Sequence, residues 1–540
     1  IHLWDQSKPI LALKSDAQCG QAAPGIAHMW HMPGHTFSKL KRPDDAAWQQ
    51  EASTRVDHAY MIRSYILPDQ IHNYAHNEEW LTRTYNDLGR AKDAAALARS
   101  LIAIPRHPTY NTLDKSSTSS SYGRTRLIET LIKWELWDDL KTFTAVPAGQ
   151  PAHDITRLRA QGLAAYHQNN AKLLAESVKA LEAVTTDQKL ANIDTSKLKP
   201  QKPDSADKSE KSDPKKKSDK PAEKPEVKAK TNALAELKAL IALLDKKVPK
   251  VEKNKLLDAL KTTDVPKERQ ARYWLKLDDK AKAAELTKNF TQDLVGLAIK
   301  TEVLQACDKT DDAKKAFEDT RKQAFAMDRD LPIAKRLDAL AKTFGITGDW
   351  PAPTPKRTDS GIRPDITTLG PVHWHAPDAP TFEALTLDNQ FVKSTDFTSK
   401  KPTLFIFYLG HGCGHGVEQM QAFSKAVGDF AKAGIQLVAV TLEPTTVAAG
   451  IRAKLNLKPG APLPFPILSD TSLAAFKAVR AHDDFENENL HATLLIDTHG
   501  KQRWQDISWE PFTNAKFALE ESRRLLQLDA EATVISHASE

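Results

Sequence analysis

The chain has 540 residues, 40% hydrophobic and 27% charged, which is too long for a single hydrophobic core and calls for several folded units. Its formal charge of +6 sits almost wholly in Ser196–Lys230, where 12 lysines face 7 acidic residues and leave 64 basic against 63 acidic side chains elsewhere. A nucleic-acid reader needs a basic folded face, so DNA and RNA are excluded as partners, and no apolar run nears the ~20 residues of a membrane helix.

The first residue is Ile1 rather than Met, with no signal-peptide pattern behind it. The expectation is a processed product or a fragment of a longer precursor, and a processed product would favour a periplasmic or other extracytoplasmic setting. Three cysteines, Cys19, Cys307 and Cys413, are too few and odd in number for a disulfide framework, so cysteine usage leaves the compartment open.

Residues 1–195 begin with a histidine cluster. HMWHMPGH spaces His28, His31 and His35 at i, i+3, i+7, and His58, His72 and His76 follow. On a continuous helix the first three share a face, and His72 and His76 at i, i+4 can reach one ion. Imidazole ligands favour zinc or copper, with Asp57 and Asp69 as oxygen ligands or supports. Two features favour ordinary core instead: Pro33 is expected to interrupt the helix and point His28 and His35 apart, and Trp30, Trp48 and Trp80 read as buried aromatics.

Apolar residues recur at three and four positions in Ala47–Val56, His76–Leu88, Ala91–Ile104, Arg124–Trp137 and Ala171–Val184, then in Ala233–Leu244, Lys280–Phe290 and Thr310–Phe325. Each predicts an amphipathic helix. Several follow a polar or Gly-containing bend with a small pair, as in LGRAKDAAALARS from Leu88 and CDKTDDAKKAFED from Cys307. This resembles the second helix of tetratricopeptide repeats, and the implied architecture is an all-α degenerate helical-repeat array whose surfaces bind a protein partner.

Between the two helical stretches, residues 196–230 read as a disordered Lys/Pro-rich linker that cannot repay the entropy of ordering. A second helical region is expected over 231–345, a Pro/Gly-rich connector over 346–374, an α/β domain over 375–530 and a tail over 531–540. In the α/β domain the period changes: Thr403–Tyr408, Ile435–Leu442, Ala492–Ile496 and Gln502–Ile507 are strand-length runs, and the strand–helix–strand order followed by a hairpin predicts a mixed sheet covered on both faces. The fold class is thus multidomain α plus α/β.

HAPDAPTFEALTLDNQF, KKPTLFIFYLGHGCGHGVEQM, PFPILSD and ATLLIDTHGKQRW, in that order over His375–Leu528, resemble the redoxin branch of the thioredoxin superfamily, with its thiol-specific antioxidant and alkyl hydroperoxide reductase group. The resemblance implies a thioredoxin-like α/β sandwich with Cys413 as the reactive residue at a helix N-terminus, where the dipole favours thiolate. It also marks departures. Gly416 stands where dithiol members keep a second cysteine, Gly410 replaces the peroxide-site threonine, His491-Ala492-Thr493 opens the hairpin where an arginine is expected nearby, and Ala492 takes the cis-proline position.

His411 and His415 flank Cys413 and are expected to stabilise the thiolate, act as acid and base, or join it as metal ligands, with His415 preferred. The function implied is a single-thiol redox protein recycled by an external thiol. The alternative is a non-catalytic scaffold or metal-binding protein with a degenerate redoxin domain. No haem-c motif, phosphate loop or serine-hydrolase elbow occurs.

Overall fold

A computed structural model describes residues 8–71, 73–185, 224–458 and 461–528. A long helical region precedes the first strand. Its helices are α1 (Pro9–Ala22), α2 (Ala27–Lys39), α3 (Pro43–Ser64), α4 (Tyr74–Leu88), α5 (Ala91–Ala103), α6 (Ser119–Lys133), α7 (Trp137–Thr144), α8 (Pro151–His167) and α9 (Ala171–Ala183). They continue with α10 (Pro225–Leu244), α11 (Lys250–Ala259), α12 (Lys267–Lys276), α13 (Lys280–Leu286), α14 (Leu294–Ala306), α15 (Thr310–Gln323) and α16 (Pro332–Thr343). No described helix is long and apolar enough to cross a membrane.

Local chemistry sets the helix ends. Gly89, at φ +78°, closes α4, and the Arg90 N–H returns to the Tyr85 carbonyl at 2.9 Å before α5 starts. A Cβ on Gly123 of α6 would lie 2.8 Å from the Ala98 carbonyl oxygen, so glycine is what lets α6 sit against the backbone of α5. The helix expected over Arg124–Trp137 is in fact two, α6 and α7, because Glu135 adopts φ +60° and breaks the hydrogen-bond ladder. Conversely, α2 runs unbroken through Pro33, correcting the expected interruption; Met32, Pro33 and Gly34 are all buried, and that packing offsets the hydrogen bond the proline removes.

The described residues divide into two compact units, one drawn from Ile1–Trp134 and Thr320–Glu540, the other from Glu135–Asp319. These boundaries differ from those expected at 195 and 231. Within the second unit α10 packs on α8 and α9: a Cβ on Gly162 would meet Leu237 Cδ2 at 2.6 Å, and Arg159 Nε pairs with the buried Glu236 at 2.7 Å. The helices before and after the linker thus share one core. Residues 225–230, assigned to the linker, form the first turns of α10, where Pro225 occupies the first turn and Glu226 complements the helix dipole. Positions 196–223 of that stretch, and the tail 531–540, lie outside the described residues.

In the first unit the Pro/Gly-rich connector lies along α1 and α3. Arg42 pairs with Asp359 at 2.8 Å, Arg357 binds Asp44, and Gly361 (φ +78°) comes so close to Ala17 that a Cβ would stand 1.9 Å from its carbonyl oxygen. Burial alone would raise the Asp45 carboxyl, but hydrogen bonds from Ser360 and Arg42 and the Arg363 charge hold it below its ordinary range.

The α/β domain comprises β1 (Glu383–Thr386), β2 (Phe391–Lys393), α17 (Ser394–Thr398), β3 (Thr403–Tyr408), α18 (Gly414–Lys432), β4 (Gln436–Thr441), α19 (Thr445–Ala448) and α20 (Ile451–Lys454). It ends with β5 (Ile467–Ser469), α21 (Ala474–Ala478), β6 (His482–Asp483), β7 (Glu488–Asn489), β8 (His491–Ile496), β9 (Gln502–Ser508) and α22 (Ala515–Leu525). The seven-stranded sheet has the order β2-β1-β5-β4-β3-β8-β9, with β3, β4 and β5 mutually parallel and β8 antiparallel to β3. Alternation along β3 fills both faces: Leu404, Ile406 and Tyr408 pack with Met420, Phe423 and Trp504, while Phe405 and Phe407 pack with Phe382 and Phe476. The fold class expected from sequence, helical region then thioredoxin-like sandwich, is the one observed.

This domain is docked on the N-terminal helices of its own unit. Trp504 donates to the Arg106 carbonyl at 2.7 Å and stacks on His107 with ring centroids 5.7 Å apart, while His107 Nε2 meets Asp506 at 2.8 Å.

Candidate functional site

The site forms where β3 ends. Gly410 takes φ +133°, a conformation open to glycine, and a Cβ there would come 2.7 Å from the Glu443 carboxylate. Glu443, just beyond β4, therefore occupies the room that a threonine side chain at position 410 would need. The chain then turns so that Cys413 caps α18, which starts at Gly414; the Cys413 N–H reaches the Gly410 carbonyl at 3.2 Å. The first N–H groups of a helix lack intrahelical partners, so the half-buried thiol faces a partial positive charge.

Its partner comes from the far end of the domain. His491 heads β8, and because β8 lies beside β3, its Nε2 stands 3.7 Å from Cys413 Sγ. His491 Nδ1 donates to the Trp509 carbonyl at 2.9 Å; a carbonyl only accepts, so the proton sits on Nδ1 and the Nε2 lone pair faces the thiol. His491 is 3% exposed, and burial pulls its pKa below the usual imidazole value, with the Trp509 carbonyl acting in the opposite sense. A neutral imidazole with a fixed tautomer, held against a thiol at a helix N-terminus, can take the thiol proton.

His411 and His415 do not have the places expected of them. His411 Nδ1 lies 2.6 Å from Glu443 Oε1, which also accepts the His411 backbone N–H at 3.1 Å. The His415 side chain is 76% exposed and 4.0 Å from Glu418 Oε2. Among the described residues neither is hydrogen-bonded to Cys413, because the α18 helix carries position 415 outward and the Gly410 turn aims position 411 at Glu443. In the sequence His491 reads only as part of a hairpin lacking arginine; its one local signal is a histidine at the head of a strand whose every residue is buried.

Burial raises the Cys19 thiol, with Asp16 adding to the effect, and burial also raises Cys307, whose Sγ donates to the Lys280 carbonyl at 3.3 Å. Both shifts favour the protonated thiol over the thiolate.

Gly410→Ala should destabilise the chain by about 1–3 kcal/mol, since it forces an L-residue into a left-handed conformation against Glu443. A urea melt measures the cost. An unchanged midpoint would show that the loop accommodates a side chain.

The histidine cluster separates into two groups. His31, His35 and His76 place one donor atom each within 4.8 Å of one another, with His31 Nε2 and His35 Nε2 2.7 Å apart and the His28 ring stacked 5.9 Å from His31. Burial, then the neighbouring His35, His76 and His28, push His31 down to about 2. His58 does not join them. Its Nδ1 bonds the Pro371 carbonyl at 3.0 Å and its Nε2 the Tyr74 hydroxyl at 2.9 Å, in a buried polar group with Glu78. Asp57 is bonded to Asn77 and raised to about 7 by burial, and Asp69, raised to about 6 by burial, accepts from Ser119, so both carboxyls are engaged outside the triad. His72 lies outside the described residues. Trp30 is core, packed with Ala52, Val56 and Trp48, whereas Trp80 packs edge-on against His35 at 4.4 Å.

Residues 376–505 match the AhpC/TSA family, and this stretch is a thioredoxin-fold redoxin domain. No curated protein matches the chain. Among solved structures, it is similar to peroxidoxin BcpB from Mycobacterium tuberculosis (17% identity, 27% of this chain and 95% of that one, TM-score 0.25). It is also similar to a reduced 2-Cys peroxiredoxin from Plasmodium vivax (21%, 28% and 81%, 0.25) and to a yeast mitochondrial 1-Cys peroxiredoxin (19%, 28% and 76%, 0.26).

Proposed function

We propose that the chain is a single-thiol peroxide reductase in which Cys413 is the nucleophile and His491 its base. The AhpC/TSA match supports a thiol redox role in general. The observation that carries the finer reading is the 3.7 Å approach of His491 Nε2 to Cys413 Sγ at the N-terminus of α18.

His491 accepts the Cys413 proton, and the thiolate attacks the distal oxygen of a hydroperoxide. The S–O bond forms as the O–O bond breaks, leaving a sulfenic acid; the proton returns from His491 to the departing oxygen as an alcohol or water. Position 416 carries no thiol, so an external thiol condenses with the sulfenic acid, releasing water and forming a mixed disulfide. A second thiol then frees Cys413. In this reading the helical region supplies surfaces for a protein partner, and the redoxin domain works docked on that region rather than as a body on a free tether.

Mild peroxide followed by mass spectrometry tests the assignment. Cys413 should be converted to sulfenic acid before Cys19 and Cys307, and Cys413→Ser should abolish peroxide turnover with an external dithiol. Equal or slower modification at Cys413, with no turnover by the wild type, would favour a non-catalytic scaffold, and undiminished turnover by the variant would remove Cys413 as the nucleophile.

A further inference from the structure

We propose that His31 and His35 of α2 and His76 of α4 form a mononuclear site for a borderline divalent ion of the zinc and copper(II) kind, separate from the thiol site. Three imidazole donors from two helices lie within 4.8 Å of one another. Three ligands held about 2.0–2.1 Å from one tetrahedral ion sit about 3.3 Å apart, so changes of an ångström or so in ring position complete the set.

The contrast with His58 argues against mere core packing. His58 is a buried histidine with both ring nitrogens bonded to protein groups that fix its proton. His31 is equally buried, at 3% exposure, yet among the described residues its Nδ1 has no hydrogen-bond partner and its Nε2 faces another imidazole nitrogen at 2.7 Å. Two ring nitrogens at that distance share one hydrogen. When an ion binds, the ring that held this hydrogen on Nε2 carries it on Nδ1 instead, so that both Nε2 lone pairs face the ion.

The helices supply the geometry. His31 and His35 are one turn apart, which the continuity of α2 through Pro33 preserves, and α4 presents His76 with its ring 5.3 Å from that of His31. Trp80 packs in edge geometry against both His35 and His76, with ring centroids 4.4 and 5.7 Å away, and these two histidines are half-buried. An all-nitrogen set selects zinc or copper(II) over magnesium or calcium, which take oxygen.

The test uses the full chain, without a polyhistidine tag, stripped with chelator and then titrated with zinc chloride and, separately, copper(II) chloride. One ion per chain is expected, with a metal-dependent rise in melting temperature. His35→Ala and His76→Ala should each weaken zinc binding by about tenfold to a hundredfold or more, while His499→Ala, at an exposed loop histidine, should leave it unchanged. X-ray absorption of the zinc-loaded wild type keeps the proposal testable should a variant misfold: three nitrogen ligands at about 2.0–2.1 Å support it. A sulfur ligand, binding weaker than stoichiometric, or equal binding by the wild type and the His35→Ala/His76→Ala double variant would overturn it.

Discussion

The His491→Ala variant should turn over peroxide about a hundredfold to ten-thousandfold more slowly than the wild type, the range that removal of a positioned general base produces. The sulfur stays in place, but the group that takes its proton is lost. The sign of the pH effect follows from burial. Because the His491 pKa is lowered, the imidazole is neutral and ready to accept a proton from a pH below the ordinary histidine range, and the acid limb of the wild-type rate profile should fall there. In His491→Ala that limb should move upward, toward the pH at which the thiol ionises unaided, so the deficit narrows as pH rises. His415→Ala, at a 76% exposed side chain, serves as the comparison and should retain near wild-type turnover. Stopped-flow measurement of Cys413 oxidation across pH reads all three. Equal losses in the two variants, or an unmoved acid limb in His491→Ala, would remove His491 from the mechanism.

The largest expected effect on stability is at Arg524. Its guanidinium, 6% exposed, binds Glu521 at 2.6 Å and donates to the Ile102 carbonyl at 3.1 Å and the Ile104 carbonyl at 2.7 Å, where α5 ends. An arginine on the last helix of the redoxin domain thereby caps the C-terminus of a helix more than four hundred residues earlier and meets its partial negative charge. Arg524→Leu leaves the Glu521 carboxylate buried without its countercharge and the α5 carbonyls without their donor, at a cost of about 3–5 kcal/mol. Glu521 also accepts the Arg106 backbone N–H at 2.6 Å, so the Arg524→Leu/Glu521→Leu variant should recover part of the loss rather than all of it. Urea denaturation of the two variants measures the difference. A single variant within about 1 kcal/mol of wild type would show that these contacts do not hold the domain to the helices.

By itself the sequence determined what depends on neighbours along the chain. Nearly continuous apolar runs specified β3, β4 and β8, because strands buried on both faces leave few polar positions, the Asp497-Thr498-His499-Gly500 turn marked β9 as the hairpin partner of β8, and three-to-four spacing specified most helices. The loop between β3 and α18 put Cys413 at a helix N-terminus for the same local reason. Tertiary structure decided the rest. Cys413 and His491 are 78 residues apart and meet only because β8 is laid beside β3, whereas His411 and His415, adjacent in sequence, are turned to Glu443 and to solvent. Of the six clustered histidines, helical spacing could mark His31 and His35 as neighbours, but only the packing of α3 and α4 selected His76 to join them and assigned His58 to Tyr74 and Pro371. The lysine-rich stretch read as a domain boundary because its composition changes there, yet α8, α9 and α10 close one core across it. Composition reports which residues can bury themselves; which surfaces they bury against is settled by contacts between segments distant in sequence.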